Sequence, residues 1–226
     1  MSREAVERLK ALFAEIPPRW AQIGDLFSRC EFTPEELAEA AVDVTDNCFD
    51  EYSQALDPSC PSVSVDRMHT PYVIPSLAIL LEHGLDPNSE VRSENAMWNT
   101  QWINAPDIGA GALRLLLESG GDPNLIVNGD SIFEYVDYRI ADEDEGFDRD
   151  YDCLFQCWLV LMGYGGCWKK GEAPVRMLNG NDVRIFRNYE LFDFRIERPA
   201  SENGKRSRWI MHIINRETGE EVAIDE

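Results

Sequence analysis

Histidine is scarce in this chain: three occur in 226 residues. His69, His83 and His212 lie too far apart to converge by local spacing, and the six cysteines (Cys30, Cys48, Cys60, Cys153, Cys157, Cys167) include no Cys-x-x-Cys pair. A structural metal site needs about four such ligands in close clusters, so no metal and no cofactor is expected. The cysteines read as thiols of a reducing compartment. Cys153 and Cys157, four residues apart beside Leu154, Trp158 and Leu161, read as core. Long apolar runs are missing as well. No stretch of about 18 apolar residues is available to cross a bilayer. Met1-Ser2-Arg3-Glu4-Ala5-Val6-Glu7 places charges where a secretion signal needs its apolar segment. The expectation is a cytoplasmic protein with no membrane partner.

Basic residues are few: 21 Lys and Arg stand against 42 Asp and Glu, a net charge of −21. Residues 1–170 hold 12 basic and 31 acidic side chains (net −19), and residues 171–226 hold 9 and 11 (net −2). Nucleic acid is excluded as a ligand, because binding phosphates needs Lys and Arg. The charge suits rapid, salt-sensitive capture of a basic protein, and it equally suits mere solubility. Catalytic groups are also missing. No Gly-rich loop with a lysine is present to cradle phosphate, and the one close Cys/His pair, Cys60 and His69, has no third group to orient it. The run Asp142, Glu143, Asp144, Glu145, Asp148, Asp150 and Asp152 is rich enough in oxygen to suggest calcium. Gly146 sits one position early, however, and Cys153 stands where a bidentate glutamate belongs. The run reads as a solvated loop.

What the chain does have is an internal repeat. Leu80-Leu81-Glu82-His83-Gly84-Leu85-Asp86-Pro87-Asn88 returns 36 residues later as Leu116-Leu117-Glu118-Ser119-Gly120-Gly121-Asp122-Pro123-Asn124. Periods of about 20–50 residues indicate stacked units. Leu77, Leu80 and Leu81, and likewise Leu113, Leu116 and Leu117, fall on one helical stripe. Gly84 and Gly120 can close a helix in the left-handed conformation, and the proline three residues on forbids its continuation. A decayed third copy, Leu161-Met162-Gly163-Tyr164-Gly165-Gly166, follows after 45 residues, the excess of about nine falling at the acidic insert 141–150.

The leucine pair followed by Gly-x-Asp-x-Asn resembles the end of the second helix in an ankyrin repeat. Gly129-Asp130-Ser131-Ile132-Phe133-Glu134 is similar to the entry into the first helix, with Ser131 as N-cap and Glu134 completing a capping box. Ser93-Glu94-Asn95-Ala96-Met97-Trp98 is a weaker match capped by Asn95. Thr70-Pro71-Tyr72 keeps only Thr-Pro and leaves no room for a first helix before Leu80. The resemblance covers roughly residues 65–168. It implies a partner held on the concave face and at the tips between repeats: Trp98, Gln101, Trp102, Tyr135 and Tyr138 on first helices, and Asn88, Arg92 and Asn128 at the tips 86–92 and 122–128. Aromatic residues in such places serve either as partner anchors or as packing for the stack, and the sequence leaves both open.

Flanking segments complete the plan. Val6, Leu9, Leu12 and Phe13 predict one helix, stopped by Pro17-Pro18, and Trp20, Ile23, Leu26 and Phe27 predict another. Thr33-Pro34-Glu35-Glu36 is a helix start, with Leu37, Ala40, Ala41, Val44, Cys48 and Tyr52 inward and Glu35, Glu39, Asp43, Asp46 and Asp50 outward. Residues 1–64 are expected to form an N-terminal helical cap, 65–170 the degenerate repeats, and 171–226 an antiparallel β extension. Strands are expected around 182–187, 190–196 and 208–214, the last central because it is apolar on both faces, with a hairpin turn at 215–220.

The expected fold is mostly α: an ankyrin-like α-solenoid of helical hairpins followed by a small antiparallel sheet. The expected function is non-enzymatic binding of a basic protein, for which a bacterial immunity protein that neutralises a toxin is one form. Two alternatives come from other classes. One is a nucleic-acid mimic that blocks a DNA-binding protein with a continuous acidic face built from 35–50 and 142–152. The other is an enzyme with a site between solenoid and sheet.

Overall fold

The structure, a computed structural model, describes residues 3–55, 70–103, 106–136, 152–166, 169–170, 173–174, 191–197 and 210–225. The acidic run 142–150, Cys60, His69, Tyr138 and the expected strand 182–187 lie outside them, as do the side chains of Cys48 and Tyr52. The chain divides into two compact units, Met1–Leu161 and Met162–Glu226. It is mostly helical, with small antiparallel sheets towards the C-terminal end.

The first unit opens with α1 (Arg3–Phe13), α2 (Trp20–Arg29) and α3 (Pro34–Ala55). α1 buries Val6, Leu9, Leu12 and Phe13, the four apolar positions of its stripe. α3 starts with a full capping box: the Glu36 amide donates to Thr33 Oγ1 (3.3 Å), and the Thr33 amide donates to Glu36 Oε2 (2.9 Å). These bonds satisfy two of the donors a helix start leaves open. Leu37, Ala40, Ala41 and Val44 are buried, as their spacing predicts.

A 3₁₀ turn, Thr70–Tyr72, leads directly into α4 (Val73–Glu82). α3 packs against α4 and also against α5 (Ala96–Asn99), while α4 packs against α6 (Pro106–Glu118). A second 3₁₀ turn, Thr100–Trp102, extends α5. The Asn95 side chain accepts from the Met97 amide at 2.8 Å, so Asn95 is the N-cap its position predicts. One period later Ser131 Oγ accepts from the Glu134 amide (3.0 Å) at the head of a helix, α7, described over residues 132–136. Here the Ser131 hydroxyl in turn donates to Glu134 Oε2 at 2.9 Å. α8 (Asp152–Gly163) follows, with Leu154, Cys157, Trp158 and Leu161 buried.

The two repeat copies end alike. Gly84 donates to Leu81 O and Leu85 to Leu80 O, and Gly120 donates to Leu117 O and Gly121 to Leu116 O, all at 3.0–3.1 Å. These are paired Schellman closures, and the glycines carry φ of 97° and 101°. The third copy keeps part of the pattern: Gly165 has φ 95° and donates to Met162 O. Leu77, Leu80, Leu113 and Leu116 are fully buried, each worth about 1.5–3 kcal/mol against exposure.

In the second unit, β3 (Lys169–Lys170) pairs with β4 (Ala173–Pro174). β5 (Phe192–Glu197), β6 (Ile210–Asn215) and β7 (Glu221–Asp225) form an antiparallel sheet in the order β5-β6-β7. β6 is central, as its apolar character on both faces predicts, and Ile213 on it is buried. The turn after Asn215 is held by the Asn215 side chain, which accepts from the amides of Glu217 (2.9 Å) and Thr218 (3.0 Å).

Candidate partner-binding surface

Each of the two full repeat copies carries a two-residue hairpin between its Asp-Pro-Asn turn and the helix that follows, α5 or α7. In one, Val91 and Glu94 bridge across Arg92 and Ser93, which have φ of 55° and 67°. In the other, Val127 of β1 (Ile126–Val127) pairs with Asp130 of β2 (Asp130–Ser131) across Asn128 and Gly129, with φ of 55° and 95°. Two positive φ values at the centre mark a type I′ turn. Asn-Gly adopts it readily, whereas Arg92 and Ser93 adopt it at a steric cost of about 1–2 kcal/mol per residue. Both are held by contacts to other elements. Ser93 O accepts from Asn128 Nδ2 at 2.8 Å, which stacks one tip on the next. Arg92 reaches back to Glu39.

Asn88 is a second tie between copies. Its Nδ2 donates to Gly120 O at 3.0 Å, and its Oδ1 accepts from the Asp122 amide at 2.7 Å. Within each turn the aspartate folds back on the backbone: Asp86 Oδ1 accepts from Asn88 N (2.9 Å), and Asp122 Oδ1 from Asn124 N (2.8 Å). Asn88 and Asn128 therefore build the tip before they can meet a partner.

Two rows of exposed carboxylates run along these tips. Asp86 and Asp122 occupy one repeat position, Glu94 and Asp130 another, and Glu90 lies between them. Among the described residues no cation pairs with any of the five. Ile126, 61% exposed, stands in their midst on β1. Nothing marked Ile126 in the sequence beyond its place inside the tip 122–128.

Arg92 belongs to a charge cluster. Glu39, on the α3 face expected to point outward, is buried, with 10% of its side chain exposed. Arg3 grips it with two bonds of 2.6 Å, Arg92 adds one of 2.5 Å, and Lys10 approaches to 3.4 Å. Lys10 also pairs with Asp43 at 2.8 Å, and Arg3 with Glu7 at 2.6 Å. The hydrogen bonds from Arg3, chiefly, hold the Glu39 carboxyl below its ordinary range against the opposing effect of burial. Burial works against the charge of Lys10, yet Asp43 and Glu39 raise its pKa on balance. A little further along α3, Asn99 donates to Asp46 Oδ1 (2.8 Å) and to Thr45 Oγ1 (3.2 Å). The acidic face of α3 therefore does not point outward as a whole. Of its described members only Glu35 is exposed, while Glu39, Asp43 and Asp46 are turned to partners within the fold.

The aromatic residues divide. Trp98 and Tyr135, both half-buried, meet across consecutive repeats with ring centroids 4.7 Å apart and a tilt of 40°. Gln101 does not line an open face: it is buried. The side chain of Trp102 lies outside the described residues. Among the described residues, no group of three or more His, Cys, Asp or Glu is arranged to hold a metal ion, and no helix is long and apolar enough to cross a membrane. Cys157 is a buried thiol and Cys30 a half-buried one. No protein-family model matches the chain, and neither the curated proteins nor the solved structures include one with significant similarity to it.

Proposed function

We propose that the chain is a non-enzymatic binding protein, an ankyrin-like α-solenoid that takes a basic protein along its stacked tips and over the neighbouring Trp98–Tyr135 pair. The observation that carries this reading is the recurrence of exposed acids at one repeat position, Asp86 with Asp122 and Glu94 with Asp130, around the exposed Ile126. Like charges set in register on tied tips repel, and a basic partner relieves that repulsion while covering the isoleucine. The stacking of α3, α4, α5 and α6 and the shared helix closures support the solenoid. Neutralisation of a basic toxin in the cytoplasm is a role such a surface suits.

The nucleic-acid mimic loses its main support with Glu39, Asp43 and Asp46 turned to partners within the fold. The deciding experiment is affinity capture from the native host at low and at high salt, followed by association kinetics with the protein retained. Retention of a basic protein, with an association rate that falls steeply with salt, is the expected result. Capture insensitive to salt, or of acidic proteins alone, rejects the reading.

A further inference from the structure

Gln101 sits in the 3₁₀ turn Thr100–Trp102 with 4% of its surface exposed, and neither Nε2 nor Oε1 of its carboxamide has a hydrogen-bond partner among the described residues. Its neighbours are not in this position. Asn99 bonds to Thr45 and Asp46, and Thr100 Oγ1 donates to Met97 O at 2.6 Å. The turn packs against α3 and α6. An amide buried with both ends unmet destabilises the arrangement that buries it. α5 also gives up α-helical winding where Gln101 begins to be buried, after only four residues. A 3₁₀ turn makes poorer hydrogen bonds than an α-helical one, and this one closes the segment before the extended Ile103. One turn earlier on the same segment stands Trp98, against Tyr135.

We propose that the turn Thr100–Trp102 has two positions: the closed one described here, with Gln101 buried, and an open one in which its carboxamide faces the partner surface beside Trp98 and pairs with a peptide group of the bound protein. A primary amide presents an acceptor and a donor side by side, which matches the N–H and C=O of an extended backbone. Binding then draws on a group that costs stability when the surface is empty, so the closed turn is easily opened. This rests on the binding role proposed above and names the part of the surface that moves.

Two measurements test it on the full chain. Gln101→Met keeps the volume and removes the unmet polar atoms. It should raise the melting temperature and slow amide hydrogen exchange at residues 100–103 by about tenfold, the equilibrium equivalent of one unmet bond, with little change in α6. Gln101→Glu should do the reverse, speeding exchange at the same residues. The second measurement probes an array of immobilised Lys- and Arg-containing peptides with both the wild-type and the Gln101→Met proteins. Weaker binding by the more stable variant supports the proposal. A variant that is less stable, that exchanges at the wild-type rate, or that binds the peptides as well as wild type overturns it. If the wild-type chain binds no basic peptide, the binding role is what fails, and the exchange data still decide whether the turn opens.

Discussion

Asn88 closes a bracket on Asp122: its side-chain oxygen takes the Asp122 amide at 2.7 Å while its nitrogen donates to Gly120 O two residues earlier. A side chain from one repeat copy thereby satisfies backbone groups that the helix end of the next leaves open. Asn88→Ala removes both bonds and is expected to lower unfolding stability by about 1–2 kcal/mol in denaturant titration, water recovering part of the loss at this exposed site. Asn88→Asp keeps the acceptor but loses the donor and adds charge next to Asp122, so it should fall at least as far. An unchanged midpoint in both variants would show that the bracket is ornamental.

The adjacent glycines should fail for different reasons. Gly120 has open space around an added methyl but a φ of 101°, so Gly120→Ala is expected to cost about 1 kcal/mol through backbone strain. At Gly121 a methyl would stand 2.4 Å from Met97 Sδ and 3.0 Å from Leu116 O. Gly121→Ala is therefore expected to cost about 1–3 kcal/mol through overpacking, with partial rescue by Met97→Ala. Rescue of Gly120→Ala by the same second change would contradict the assignment.

Glu39 gives a pH dependence. Its folded pKa lies below the unfolded value of about 4.3. Its contribution is therefore fully present above that unfolded value and is lost as pH falls through the folded one. Glu39→Gln should cost about 1–2 kcal/mol at neutral pH, less than a deeply buried pair because Arg3 and Arg92 are largely exposed. It should also flatten the acid limb of the stability–pH curve below about pH 4. An identical acid limb in wild type and variant is the adverse result.

Trp98 and Tyr135 should be energetically coupled. A double-mutant cycle to alanine is expected to return about 0.5–1.5 kcal/mol of interaction in unfolding stability. With a captured partner, Trp98→Ala should raise the dissociation rate far more than it changes the association rate. Additive stabilities together with an unchanged off-rate would remove the pair from both the fold and the surface.

The acid rows predict the opposite kinetic pattern. Glu94→Lys combined with Asp130→Lys should slow association with a basic partner and flatten its salt dependence, leaving the melting temperature within a degree or two or slightly raised. Ile126→Ser should act on dissociation, by about 1–2 kcal/mol. If the charge reversals speed association, the partner is not basic.

Local punctuation carried most of what the sequence could disclose. Leucines at i, i+3, i+4 before Gly84 and Gly120, the Thr33–Glu36 box, and the doubly apolar Ile210–Ile214 each depend on residues within a turn or a strand of one another, and each stands where its spacing puts it, except that Leu81 is only half-buried. Glu39 was misplaced because a helical wheel ranks faces without saying what stands opposite them. Its three cations come from Arg3, Lys10 and Arg92, separated from it by 36, 29 and 53 residues. The tip at Arg92-Ser93 was hidden for a related reason: the geometry usually announced by Asn-Gly is imposed there by neighbours. Gln101 carries no sequence signal of burial at all.

The tie from Asn128 to Ser93 has a consequence for selectivity. Tips that are bonded to one another resist splaying, so the interval between their carboxylates is held like the divisions of a ruler. A flexible acidic tail accepts almost any polycation. In the binding role proposed above, a graduated edge favours a chain whose positive charges fall at the matching interval over one of equal charge whose spacing is out of step.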